Sequence, residues 1–172
     1  MTIAVLEPSA EVRSTLSEIL IEAVADGASV SFMHPVSPDA AQAFWTKAQA
    51  AAERGDRVLL GAWDTGALIG TVTLLLDCAD NQPHRAEIAK LIVRPSHRGR
   101  GIATALMRAA EAAAVERSRT LLVLDTAEEG GAASLYESLG FQLAGRIPDY
   151  AFKPHGGLNG TLIYFKRIGA AG

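Results

Sequence analysis

Residues Val93 to Ala110, VRPSHRGRGIATALMRAA, constrain the fold more than any other stretch of the chain. The apolar run Leu91-Ile92-Val93 suits a buried strand, Arg94-Pro95 ends it, and from Ile102 to Val115 apolar residues recur at helical spacing. Arg98-Gly99-Arg100-Gly101 therefore falls at a helix N-terminus, where the first backbone N–H groups, those of Ile102, Ala103 and Thr104, have no intrahelical partner and the helix dipole is positive. Such an end binds phosphate with little extra help. Gly99 and Gly101 remove side chains that would keep a ligand from the backbone, and Arg98 and Arg100 add positive charge. The stretch has the form of a pyrophosphate cradle. The blander alternative is a strand-to-helix turn that uses glycine only to bend.

Composition narrows the rest. With 172 residues, 49% of them hydrophobic, the chain fits one domain, residues 1–172, with a core that needs neither metal nor crosslink. The single cysteine, Cys78, excludes an internal disulfide, and its neighbours Leu74-Leu75-Leu76 suggest a buried structural thiol. The N-terminus lacks the basic start and long apolar core of a signal peptide, and no apolar run approaches the roughly 20 residues needed to span a bilayer. The expected setting is soluble and cytoplasmic, without a membrane partner. A net charge of −3 argues against a general nucleic-acid binder. Yet Arg94, His97, Arg98 and Arg100 crowd one turn, which suits one compact polyanion. The four histidines are scattered without ligand spacing, so no metal site is expected.

Along the chain, Val12, Leu16, Ile19, Leu20 and Val24 form one stripe of a helix over Glu11–Ala25, with Ser9 as its cap and Gly27 ending it. Pro38 opens a second helix that runs to about Arg54, with Phe44 and Trp45 expected in the core. Arg57–Trp63 and Ala67–Leu76 read as strands joined by a hairpin at Asp64-Thr65-Gly66, where Gly66 takes the left-handed position. A strand over Arg85–Val93, a helix over Ile102–Glu116 and a strand over Thr120–Asp125 make a parallel crossover. A short helix near Ala132–Leu139, strands near Phe141–Arg146 and Thr161–Arg167, and a glycine-rich loop over His155–Gly160 complete the chain. This order gives an α+β fold, a mixed, mainly antiparallel central sheet flanked by helices.

Two segments resemble the GCN5-related N-acetyltransferase (GNAT) family: Arg98-x-x-Gly101-x-Ala103 matches its acyl-CoA signature, and Ala133-Ser134-Leu135-Tyr136-Glu137-Ser138-Leu139-Gly140-Phe141 matches its A-x-x-L-Y-x-x-L-G-F segment. Gly27–Met33, Arg85-Ala86-Glu87, Leu124-Asp125-Thr126 and Ile163-Tyr164-Phe165-Lys166 further resemble the tabtoxin-resistance type of acetyltransferase. The resemblance implies transfer of an acetyl group from acetyl-CoA to the primary amine of a small molecule, such as an antibiotic or toxin-like amino compound, directly within a ternary complex. It also implies strands splayed apart at Val93 and Asp125, with the thioester between them. Backbone groups of Leu91, Ile92 and Val93 would hold the pantetheine arm and polarise the carbonyl, and Tyr136 corresponds to the general acid. A tyrosine near pH 7 is protonated and able to serve the departing thiolate, or simply to tether its sulfur.

Amide formation also requires a neutral amine. Glu87 and Asp125 are the carboxylates best placed to act as base, since each interrupts an apolar strand beside the proposed thioester entry; strand alternation gives Glu87 the face of Ala89, Leu91 and Val93. Desolvation would suit either to base chemistry, and pairing with a cationic amine is the equal alternative. His84 has the better intrinsic pKa but lies in a turn. Many family members carry asparagine seven residues before the tyrosine, where this chain has Glu129; an acidic loop, Glu128-Glu129, facing the thioester could select a cationic amine, though two solvated loop glutamates are the plainer reading. Protein amines as acceptors, and an acyl-CoA-binding domain without turnover, are the competing functions. The cradle lacks a Walker lysine and dinucleotide spacing. A homodimer is compatible with the sequence but has no motif to mark it.

Overall fold

A computed structural model describes residues 1–169, so the last three residues of the expected domain lie outside the described residues. In chain order the elements are β1 (Thr2–Val5), α1 (Ala10–Ala25), α2 (Pro38–Glu53), β2 (Arg57–Asp64), β3 (Ala67–Leu75), β4 (Arg85–Val93), α3 (Ile102–Glu116), β5 (Leu121–Ala127), α4 (Ala133–Ser138), β6 (Gln142–Phe152) and β7 (Leu158–Arg167); a 3-10 turn at Pro95–His97 precedes α3. The strands form one seven-stranded sheet in the order β1-β2-β3-β4-β5-β7-β6. Every neighbouring pair is antiparallel except β4–β5, which α3 connects in parallel.

Each helix start has a local cause. The Ser9 hydroxyl accepts from the Val12 N–H at 3.1 Å, and that of Ser37 from the Ala40 N–H at 3.1 Å, with Pro38 in the first turn. α1 and α2 cover one sheet face, where Leu16, Ile19, Leu20, Val24 and Trp45 pack on Leu59, Leu68 and Ile92. α3 covers the other, where Ile102, Leu106, Met107 and Ala110 pack on Leu60, Ile69, Val72 and Leu74. Burial of each Leu, Ile or Val contributes about 1.5–3 kcal/mol, so the two layers hold the sheet between them.

The β2–β3 hairpin turns on Thr65 and Gly66, both at positive φ (47° and 84°), so the left-handed conformation expected of Gly66 extends to Thr65. β1 is an addition to the sequence reading, a four-residue, largely exposed edge strand paired through Thr2↔Trp63 to Val5↔Leu60. β6 continues past Arg146 to Phe152, and β7 begins at Leu158 inside the expected loop. Pro148 reads as a stop, but an edge strand tolerates a missing N–H, and the register slips between Ile147 and Ala151 beside Asp149 at φ 51°. Cys78 is half-buried rather than buried, with Sγ donating to the Arg85 carbonyl at 3.3 Å. Leu106→Ala should lower stability by about 2–5 kcal/mol with little change in the urea m-value, since it opens a cavity beneath α3.

Candidate active site

β4 does not run straight. Thr71 pairs with Ile92 and Thr73 with Ala89, so Val72 faces two residues, Lys90 and Leu91: a β-bulge with Lys90 at φ 52°. The extra residue inverts the faces of the strand. Before it Ala86 and Ile88 point into the α3 layer; after it Ile92 points into the α1–α2 layer, while Leu91 and Val93 pack on the α3 side. Glu87 therefore does not share a face with Leu91 and Val93, as uninterrupted alternation predicts.

The same strand also parts from β5. Parallel pairing is limited to Arg85↔Leu121, Ala86↔Leu122 and Glu87↔Val123, and beyond this the β5-facing edge of Ile88–Val93 has no ladder partner. The parting opens a cleft of about 590 Å³, lined from the α1 end by Asp26–Ser31, from β4 by Ile88–Val93 and from β5 by Asp125–Ala127. The α3 start adds Arg98, Gly99 and Gly101–Thr104, and α4 adds Leu135 and Tyr136.

At the cleft's α3 end, Gly101 caps the helix at φ 75° and no side chain bonds to the first turn, so the N–H groups of Ile102, Ala103 and Thr104 are left for a ligand. Gly99 is left-handed as well, at φ 74°. A Cβ at either glycine would meet nothing within 4 Å, so the backbone conformation, more than crowding within the chain, calls for glycine.

The arginines separate by role. Arg94 faces α1, not the cleft: its guanidinium donates to Glu18 at 3.2 Å, to Glu22 and to the Leu68 carbonyl at 3.3 Å, with only 17% of the side chain exposed. Arg100 turns to Asp64 at 2.8 Å and lies outside the lining. Arg98 lines the cleft while paired with Asp26, and His97 lies beside it. The crowd of charge expected of one turn is thus largely spent on carboxylates that the sequence places far away.

The candidate catalytic groups separate too. Tyr136 is 6% exposed, on the α3 side, near Phe141 and Tyr164 (ring centroids 6.0 and 6.1 Å). Burial, and then the negative charge of Asp125, push its hydroxyl up to about 12. Asp125 lines the cleft from the opposite face, exposed, and accepts from the Thr161 hydroxyl at 3.1 Å. Glu87 lies outside the cleft, 3.6 Å from Arg85 and 40% exposed. Neither carboxylate is buried: Asp125 is exposed and Glu87 half-buried. His84 is exposed in its turn, also outside the lining.

Glu128 and Glu129 do not face the thioester region: they pair with Arg146 (2.6 Å) and Lys153 (3.0 Å). The buried Asn159 instead clamps the backbone of Glu129, accepting from its N–H at 3.2 Å and donating to its carbonyl at 3.1 Å. Sequence reasoning also overlooked Lys90, which lines the cleft, and Gly131, where a Cβ would lie 2.0 Å from the Ala127 carbonyl. A charged residue inside the apolar run Ile88–Val93 is the signal that marks Lys90.

A strand-helix-strand crossover parted over a left-handed glycine cap defines an acyltransferase-type cleft. The acetyltransferase (GNAT) family model matches residues 21–141, and the chain belongs to that family. Its fold is similar to ribosomal-protein-alanine N-acetyltransferase from Brucella melitensis (TM-score 0.80, 20% identity, 98% of this chain and 100% of that one). It is similar to a phosphinothricin acetyltransferase from Sinorhizobium meliloti in complex with AcCoA (0.79, 22%, 98% and 90%), and to an aminoglycoside 6'-N-acetyltransferase complexed with coenzyme A (0.77, 16%, 100% and 99%). At these identities the likeness establishes the fold.

Because Arg94 ties β4 to α1, Arg94→Ala should destabilise the protein by about 1–3 kcal/mol in urea unfolding, the range for hydrogen bonds to charged groups. Gly131→Ala should displace the start of α4, where the Ala132 N–H donates to Thr126 Oγ1 at 3.2 Å, and slow turnover at least tenfold while the fold persists by circular dichroism.

Proposed function

We propose that residues 1–172 form one N-acetyltransferase domain that moves an acetyl group from acetyl-CoA to the primary amine of a small molecule. The observation that carries the reading is the β4–β5 parting, which has an uncapped helix start at one end, Tyr136 on one wall and Asp125 on the other. The chemistry of this donor set suits acetyl-CoA. The N–H groups of Ile102, Ala103 and Thr104, with Arg98, would take the pyrophosphate. The open edge at Leu91–Val93 offers hydrogen-bonding groups to a pantetheine amide, and an N–H there would polarise the thioester carbonyl.

In the reaction the amine nitrogen attacks the carbonyl carbon, the C–S bond breaks, and products are the amide and a thiol. The proton lost by the amine balances the one gained by sulfur. Asp125, open to water and held by Thr161, pairs with the incoming ammonium and passes its proton to solvent. Tyr136 holds its own proton too tightly to surrender it to a thiolate of ordinary pKa near 8.5, so it donates a hydrogen bond to the sulfur as charge develops; the nitrogen releases its second proton to water in the open cleft as the C–S bond breaks, and the thiolate takes its proton from that water. The likeness to tabtoxin-resistance enzymes rests on short sequence segments, and the relatives named above act on acceptors as different as a ribosomal protein and an aminoglycoside.

Thiol release from acetyl-CoA across a panel of small amines and peptides tests the reading: turnover is expected on a small amine, and a folded protein that transfers to no amine, whether or not it binds acetyl-CoA, would overturn it. Calorimetry should show Arg98→Glu costing at least five times more acetyl-CoA affinity than Arg100→Glu, because only the first side chain lines the cleft. Tyr136→Phe should lower kcat about 10- to 100-fold, the worth of one hydrogen bond to a developing charge. With its hydroxyl raised to about 12, Tyr136 stays protonated through the alkaline range; the wild type should show no loss of kcat from pH 8 to 10 that disappears in Tyr136→Phe.

A further inference from the structure

Lys90 is a cation that this chemistry leaves unused. The bulge turns it into the cleft on the α1–α2 side, where Nζ donates to Ser31 Oγ at 3.2 Å and lies 5.6 Å from the centre of the Phe44 ring. Arg98, the other long-chain cation in the described cleft lining, has a carboxylate partner in Asp26; Lys90 has a hydroxyl and an aromatic face. Both it and Ser31 sit on left-handed, non-glycine backbone (φ 52° and 72°), a conformation that costs side-chain-bearing residues energy and that here aims the two polar groups at each other.

The surrounding charges sort by position. Burial lowers the Lys90 pKa and outweighs the charges around it, of which Asp125 on β5 and Glu87 earlier on β4 favour the ammonium and Arg57 opposes it. An anion brought to Nζ would replace the lost hydration. Across the parting, Asp125 offers the complementary charge, so the acceptor side of the cleft carries a positive pole at Lys90 and Ser31 and a negative pole at Asp125.

Building on the acetyltransferase reading of this cleft, we infer that Lys90 and Ser31 form a subsite for an anionic group, a carboxylate or a phosphonate, carried by the amine acceptor. The acceptor is then zwitterionic: its amine lies toward Asp125 and its anion on Nζ, with Ser31 Oγ as a further donor. A polyamine or aminoglycoside would bring a second cation against Lys90, a like-charge contact that a site of this kind uses to reject the wrong partner.

The test is kcat/KM by thiol release from acetyl-CoA. The acceptors are the α-amino acids, each beside its own carboxamide, with 2-aminoethylphosphonate as the phosphonate arm and putrescine and spermidine as cationic amines. Wild type should prefer an anionic acceptor over its amide at least tenfold, chiefly through KM. Lys90→Gln should cut that ratio at least tenfold, Lys90→Arg should retain most of it, and Lys90→Glu should turn the preference toward the diamine. Equal losses on acid and amide in Lys90→Gln would overturn the inference. So would turnover confined to amines without an anion, or mass spectrometry finding the acetyl group on Lys90 itself without any anionic preference. Transfer without the preference overturns this inference alone; folded protein that transfers to no amine at all overturns the acetyltransferase reading and this inference with it.

Discussion

The parting of β4 from β5 is the feature on which the rest of the structure depends. Three pairs of parallel register hold the two strands at their N-terminal ends; past Glu87 and Val123 they diverge and the sheet opens. A sheet edge left without partners inside a protein is costly unless something else takes its hydrogen bonds. Here the open edge faces the cleft, where a ligand can supply them. The bulge at Lys90 supports the same opening from the other side, because it bends β4 while keeping it paired with β3. One irregularity therefore sets the direction of the strand, the faces of its residues and the position of Lys90 in the cleft lining.

The opening joins two chemically different faces. Toward α3 and α4 lie the uncapped helix start, the left-handed glycines and the buried Tyr136, a set suited to an anionic donor and a departing thiolate. Toward α1 and α2 lie Lys90, Ser31 and the exposed Asp125, a set suited to a polar acceptor. On the proposed reading, the amine would reach the donor's carbonyl from the opposite face of the sheet. Most of the basic residues that look available in the sequence are engaged: Arg94 fastens β4 to α1, Arg100 meets Asp64, and Arg146 and Lys153 hold the loop before α4. The exposed pairs of Arg100, Arg146 and Lys153 are worth at most about 1 kcal/mol each, so their role is to position loops, whereas the largely buried Arg94 also holds the fold together.

Much of this was legible in the residues. β4 and α3 begin and end where expected because proline, glycine and a change of period punctuate them, and the parted crossover followed from family resemblance. The bulge was not legible, since Glu87-Ile88-Ala89-Lys90-Leu91-Ile92-Val93 alternates no differently with an extra residue than without one. That single slip misassigned the face of Glu87. Arg94 looked like part of the cradle because its partners Glu18 and Glu22 are more than seventy residues away and only the fold brings them together. β6 runs to Phe152, past the expected end near Arg146, because an edge strand tolerates Pro148, and the four residues of β1 are too few to show a period.

The central claim, that the parted edge of β4 and the start of α3 together hold the acyl donor, is tested most directly by amide hydrogen–deuterium exchange with and without acetyl-CoA. Added protection is expected in peptides covering residues 91–93 and 101–104. Binding with no change in either segment, or with protection confined to another part of the surface, would contradict it.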